Sequence, residues 1–313
     1  MQVEKTIVPV FFAADENYMP FLAVALTSIK KYASKGNNYK IHVLYTGELG
    51  DGAQKVKAME EDGFSVSFTE ISEKTAQIQS VMRCRDYYTS AIYFRLFIPD
   101  LFPCYDKAIY LDCDTVVTAD IAELYAVDIG DNYIGAVADQ AVAAVPAFRV
   151  YVEKALGILP ENYFNSGVIT LNLKKLRELN FFQTFYGILS SYDFIVAPDQ
   201  DCLNLICKDR VYYYPATWNR MPTASDGKTD QSPKLIHYNL SMKPWHYDGV
   251  LYEEFFWDYA KQTPFYEAIL EMKKNFTPKQ MAYDEEGAKK LLELAASEAE
   301  NPNNYLRTVG SKK

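Results

Sequence analysis

The stretch Ala108-Ile109-Tyr110-Leu111-Asp112-Cys113-Asp114-Thr115 decides how this chain is read. A short run of strand formers ends in two aspartates one residue apart. On an extended chain successive side chains alternate faces, so Asp112 and Asp114 point one way and Cys113 the other. Two carboxylates on one side of a strand end repel each other, and a divalent cation with hard oxygen ligands is the natural counter-charge. The open end of an α/β sheet is also where ligands bind. A second copy of the pattern, Asp199-Gln200-Asp201, follows Pro198 and opens the apolar segment Cys202-Leu203-Asn204-Leu205-Ile206. There an aspartate at a helix start can serve simply as a cap.

Working outward, Ile7-Val8-Pro9-Val10-Phe11-Phe12 reads as the first strand, with Pro9 arguing against a central position. It runs into Ala13-Ala14-Asp15-Glu16-Asn17-Tyr18 and then a helix over 20–32 whose apolar residues fall largely on one face. The junction suits either a ligand approaching the backbone or a well-capped loop. Strands at 40–45 and 64–70 flank a polar helix, and this alternation predicts a parallel, doubly wound α/β half. A helix capped by Thr89 or Ser90 and closed by Pro99 and Pro103 carries Arg95 among apolar neighbours. A buried arginine needs an acceptor: a protein carboxylate, a phosphate or sugar hydroxyls. Further strands are predicted at 134–138 and 168–172, the latter entered by a turn at Tyr163-Phe164-Asn165-Ser166-Gly167, and a short last one at 234–238. Past Trp245 the chain reads as helices, broken at Pro278 and resumed over 284–300, with a mobile tail at 301–313.

The bulk properties narrow the class. At 313 residues, with 49% hydrophobic and 23% charged residues, the chain can bury a full core. Lys and Arg number 32 against 41 Asp and Glu, a net charge of −9 that excludes nucleic acid as the expected partner. An anionic ligand must then be held by a local positive centre. Five cysteines at scattered spacings (Cys84, Cys104, Cys113, Cys202, Cys207) suggest reduced thiols in a cytoplasm. The polar start, Met1 to Thr6, gives no signal peptide, and no apolar run reaches the length of about 18 residues that a membrane span needs.

Only three histidines are present. His42 reads as structural and His246 receives no role. His237 ends a short apolar strand and suits a third ligand beside two aspartates. An imidazole in the shell tilts the choice toward manganese, with magnesium second, because magnesium prefers oxygen ligands throughout. Lys243 nearby is either a counter-charge for a phosphate oxygen or a solvated loop lysine, and Trp245 reads as a packing anchor.

Taken in order, Ala13 to Tyr18, Arg95, Asp112-Cys113-Asp114, Asn165-Ser166-Gly167, Asp199-Gln200-Asp201, Trp218-Asn219, and His237 with Lys243-Pro244-Trp245 resemble the motif series of the family 8 glycosyltransferases. These are retaining enzymes that include bacterial lipopolysaccharide galactosyl- and glucosyltransferases. The resemblance implies an α/β chain of the GT-A nucleotide-diphospho-sugar transferase fold, with a mixed central sheet over 1–250 and a helical C-terminal extension over 251–300. It implies that Ala13, Ala14, Asp15, Asn17 and Tyr18 hold the nucleoside of a UDP-sugar, with Cys113 beside them. Asp112, Asp114 and His237 would ligate manganese at the diphosphate, which Lys243 would also bind. Arg95, Asp139, Asn165, Ser166, Gly167, Asp199 and Gln200 would surround the donor sugar, with Gln200, Asp199 and Asp139 as catalytic candidates. One position departs: where the family often has glycine, this chain has Leu240, so the loop is expected to close differently. The region after 250 lacks a strongly basic aromatic tail, so peripheral membrane contact finds no support.

The implied reaction moves galactose or glucose from a UDP-sugar to a glycan or glycoconjugate acceptor. Two rivals remain: a sugar-phosphate nucleotidyltransferase, and a non-catalytic UDP-sugar-binding module. The first would want a glycine- and lysine-bearing loop near the N-terminus, and residues 13–18 hold neither.

Overall fold

Apolar residues on both faces of the early strands demand cover on both sides. In the computed structural model, which describes residues 5–83, 89–222 and 232–310, the cover is there. One seven-stranded sheet comprises β1 (Thr6–Ala13), β2 (Asn37–Tyr45), β3 (Phe64–Glu70), β4 (Ala108–Leu111), β6 (Ile134–Ala138), β7 (Phe164–Leu171) and β8 (Val211–Tyr213). The separate ribbon of β5 (Thr115–Val117) and β9 (Leu235–His237) is antiparallel and sets Thr115 opposite His237. The large sheet runs in the order β3-β2-β1-β4-β7-β6-β8. Strands β1 to β4 are parallel, β7 is antiparallel to β4 and β6, and β8 is parallel to β6. This is the mixed α/β sheet that was expected.

Side-chain alternation feeds two cores. On β1, Val8, Val10 and Phe12 enter one and Phe11 the other; on β4, Ile109 and Leu111 part from Ala108 and Tyr110 in the same way. Helix α1 (Met19–Tyr32) covers the first face with Leu22, Ala25, Leu26 and Ile29. Helix α2 (Pro198–Cys207) covers the second with Cys202, Leu203 and Cys207. Pro9 lies in a central strand after all. Its missing donor is tolerated because β4 pairs with β1 only at Val10 and Phe11, beyond the proline.

Several local readings are corrected. Phe164 to Gly167 form no turn; they are the first half of the wholly buried strand β7. Gly167 marks a close approach instead, since a Cβ there would collide with His237 and Asp112. Arg95 sits on a 3-10 helix, Ser90–Phe97, and Pro99 opens the following turn, Ile98–Leu101. Pro278 likewise starts a helix: α3 (Pro278–Glu300) begins there behind a capping box of Thr277 and Gln280. Proline costs nothing at the first helical turn, where its N–H would have no partner. Residues 301–310, expected to be mobile, turn back so that Tyr305 is buried against Phe194. Residues 1–4, Cys84 and 311–313 lie outside the described residues. No helix among the described residues is long and apolar enough to cross a membrane.

Candidate active site

Strand β4 stops at Leu111, and the Asp112 N–H still donates to Gly167 O at 2.7 Å, so the chain leaves the sheet with its pleat intact. Cys113 turns inward, its thiol 3.3 Å from Ala13 O, while both neighbouring carboxylates face the other way. The β5–β9 ribbon then brings the distant histidine to them. His237 pairs with Thr115, and the Tyr238 N–H donates to Asp114 O at 2.9 Å. His237 Nε2 lies 3.2 Å from Asp114 Oδ1 and 3.7 Å from Asp112 Oδ2. One ligand atom from each of the three residues falls within 4.8 Å of the others. Asp114 Oδ1 is buried without a hydrogen-bond partner. Two carboxylates, one of them with an orphaned buried oxygen, and an imidazole nitrogen brought to one point fit a divalent metal.

Two buried cations flank this point. Lys243 is buried and donates to Asp114 Oδ2 and to Tyr238 O, so it is no solvated loop lysine. Burial works to raise the Asp114 carboxyl, but the Lys243 ammonium beside it outweighs that and holds it well below the usual carboxylate range. Arg95 lies over the Tyr110 ring at 4.3 Å and donates to Asp112 Oδ1 at 3.1 Å, with Asp199 Oδ2 at 3.7 Å. Burial opposes the Arg95 charge, but Tyr110, Asp112 and Asp199 overcome that and keep the guanidinium charged. Its acceptors are therefore all protein groups: the Asp112 carboxylate and the backbone carbonyls of Ile92 and Ser166. The sequence reading gave Tyr110 no role, yet its hydroxyl donates to Asp112 Oδ1 at 3.0 Å.

Beside the triad, β6, β7 and α2 bring Asp139, Asn165, Ser166, Asp199 and Gln200 together. Asp139 caps the next helix through Oδ1, which accepts from Ala141 N at 2.9 Å and Val142 N at 3.1 Å. Its Oδ2 accepts from Asn165 Nδ2 and Gln200 Nε2, each at 3.1 Å. Both Asp139 oxygens are thus engaged, and Oδ2 orients the Asn165 and Gln200 amides. Gln200 Oε1 accepts from Ser166 N at 2.9 Å and Ser166 Oγ at 3.2 Å. Burial pushes the Asp199 carboxyl up to about 6 despite Arg95.

A cleft of about 360 Å³ joins these groups. One part of its wall holds Ala13, Ala14, Asp15 and Tyr18. Asp15 is also a cap, accepting from Tyr18 N at 3.1 Å. Asn17 is exposed and does not line the cleft. It belongs to the 3-10 turn Glu16–Tyr18, on which residues three apart share a face, so Asp15 and Tyr18 look in while Asn17 looks out. Leu240 lines the mouth with φ 57°, so the loop keeps a glycine-like left-handed backbone although a leucine stands there. The opposite wall comes from α3, where Asp284, Gly287, Ala288, Leu291 and Leu292 face the cleft. Their i, i+3, i+4, i+7, i+8 spacing is a helical stripe that the sequence offered and the sequence reading did not connect to the site. His42 is structural, held between Tyr105 Oη at 3.0 Å and Ser67 Oγ at 2.8 Å. Trp245 is the packing anchor expected, stacked on Phe21 at 3.9 Å.

A mixed sheet whose Asp-x-Asp strand end meets a histidine from a paired ribbon at one cleft is the architecture of a glycosyltransferase of the GT-A fold. The chain belongs to glycosyl transferase family 8, whose profile matches residues 9–249. A lipopolysaccharide 1,2-glucosyltransferase of Escherichia coli K12 is 33% identical over 260 residues, covering 76% of this chain and 72% of that one. A Haemophilus influenzae relative is 28% identical over 218 residues, and the match spans 64% of its length. Among solved structures, the galactosyltransferase LgtC in complex with donor and acceptor sugar analogues superposes with a TM-score of 0.71 at 28% identity, covering 82% of this chain and 96% of LgtC. The apo bifunctional glycosyltransferase WbbM gives a TM-score of 0.74 at 28% identity over 88% of this chain and 53% of its own.

Proposed function

We propose that this chain is a manganese-dependent, retaining hexosyltransferase that moves galactose or glucose from a UDP-sugar to a cell-surface glycan or glycoconjugate, with magnesium as the second-choice metal. The observation that carries the proposal is the convergence of Asp112, Asp114 and His237 beside buried Lys243, between the wall at Ala13, Asp15 and Tyr18 and the amide cluster at Gln200. The nucleoside would rest on Asp15 and Tyr18, and galactose is preferred over glucose through the likeness to LgtC. The four described cysteines, Cys104, Cys113, Cys202 and Cys207, are free thiols, which supports a cytoplasmic site of action.

When bound, the metal would supply positive charge against the departing diphosphate. This chain's residues do the rest. Lys243 stands where it can neutralise a phosphate oxygen that the carboxylate side leaves uncovered. The Gln200 amide is held at both ends, and its oxygen already accepts from Ser166. That suits a fixed dipole which stabilises positive charge developing at the sugar, and it suits a nucleophile poorly. A front-face route follows, in which the leaving phosphate helps deprotonate the acceptor hydroxyl. The acceptor would enter between the amide cluster and the α3 wall.

The test is UDP release from a panel of UDP-sugars, with and without manganese. Manganese-dependent release from UDP-galactose or UDP-glucose is expected. Full activity after exhaustive chelation, or equal binding of GDP- and UDP-sugars in calorimetry, would refute the proposal. Tight UDP-sugar binding with no turnover on any acceptor would leave the binding-module rival in its place.

A further inference from the structure

Asn219 is wholly buried, and the sequence reading gave it no role. Its place in the hydrogen-bond network fixes which nitrogen of His237 carries a proton. Amide and imidazole orientations must be deduced from groups that cannot flip, and two such groups bracket this chain of contacts. At one end, the Gly167 backbone N–H can only donate, and it meets Asn165 Oδ1 at 3.0 Å. At the other, the Asp139 carboxylate accepts, and it meets Asn165 Nδ2 at 3.1 Å. Asn165 is thus held in one orientation. Its oxygen also faces Asn219 at 2.9 Å, so that atom of Asn219 must be the donating Nδ2. The remaining Asn219 atom is the carbonyl Oδ1, and it lies 3.1 Å from His237 Nδ1. An oxygen there can only accept.

We infer that Asn219 is a positioning residue that keeps the His237 proton on Nδ1 and so leaves the Nε2 lone pair free toward Asp112 and Asp114. The deduction needs no bound metal; its consequence for metal binding rests on the function proposed above. Reversing the ring tautomer would set a bare Nδ1 against the Asn219 carbonyl. Flipping Asn219 to relieve that would set its oxygen against Asn165 Oδ1. The network therefore resists the wrong tautomer at each link. Amides do here what a carboxylate or backbone carbonyl commonly does behind a metal-binding histidine. An amide can accept from the ring without adding a further negative charge to a pocket that already holds two aspartates.

The test has two arms. In nitrogen-15 spectra of histidine-labelled protein, which has three histidines to assign, His237 Nδ1 should read as N–H in the wild type and lose that signature in Asn219→Ala. In calorimetry with UDP present, Asn219→Ala should bind manganese about ten- to a hundred-fold more weakly. Asn219→Asp restores an acceptor toward His237 but sets its second oxygen against Asn165 Oδ1; it should lose thermal stability, yet keep the Nδ1–H signature and bind manganese more tightly than Asn219→Ala. A bare Nδ1 in the wild type, or undiminished manganese affinity in Asn219→Ala, overturns the inference. Failure of the wild type to bind manganese at all would sink the proposed function, while the spectra would still decide the tautomer.

Discussion

In Asp112-Cys113-Asp114 both carboxylates end on one side of an extended chain, facing His237, Lys243 and Arg95. In Asp199-Gln200-Asp201 the same letters occupy the first turn of α2, where residues two apart point in different directions. Asp199 looks toward Arg95 at the cleft. Asp201 looks into the core, accepting from Tyr163 Oη at 2.7 Å and Tyr151 Oη at 2.8 Å. Arg95 stands between the copies, nearer to Asp112 than to Asp199. The first copy is crowded with cations, and its Asp114 is held ionised. The second has little compensation, so burial pushes Asp201 up to about 7. Backbone type decides where a carboxylate points, and its surroundings decide whether it keeps its charge.

The largest expected effect breaks the first copy. Asp114→Asn removes a ligand charge and leaves Lys243 without its buried partner. Manganese-dependent transfer should fall at least about a hundred-fold, with weaker manganese binding in calorimetry. Near wild-type transfer would mean that the first copy is not the metal site. Next comes Asp199→Asn, which changes the charge beside Arg95 and touches no proposed ligand. Turnover should drop about tenfold through lost positioning of the donor sugar, with manganese affinity unchanged. Equal losses of metal affinity in the two variants would erase the distinction between the copies.

Much of this contrast was legible in the sequence. Period-two alternation placed Asp112 opposite Cys113, and Pro198 marked the second copy as a helix start. His237 was legible as a candidate because it ended an apolar run, but no local pattern announces that β9 pairs with β5. That pairing is a long-range contact made by the ribbon. Glycine was read as a turn at Gly167 because local propensity cannot show that a histidine and an aspartate press against it. The α3 wall and the tyrosine pair around Asp201 were missed for a related reason. Each needs elements distant in the chain to pack together, and side chains such as Tyr151 and Leu291 look like ordinary core residues until they do.

The smallest effect on the metal, and the sharpest probe of the second copy, is Asp201→Asn. Its neighbours are Tyr151, Tyr163, the Ala197 N–H at 3.1 Å and, on the same helix, Asp199. Burial is the main cause of its raised carboxyl, and the hydroxyl donors only partly offset it. In the unfolded chain this carboxyl titrates near 3.8; in the folded protein it titrates at about 7. Between those values the folded state binds the extra proton, so stability falls as pH rises through the window and the loss is complete above it. An asparagine has no proton to lose. In chelator-treated protein, denaturant midpoints from pH 4.5 to 8 should show the variant gaining on the wild type as pH rises and levelling off above about pH 7. Asp199 contributes a fall of the same sign, but it is present in both proteins and largely cancels. Manganese affinity should stay the same. A constant difference across the whole pH range would mean that Asp201 is as easily ionised as an exposed aspartate, and the contrast between the two copies would then rest on geometry alone.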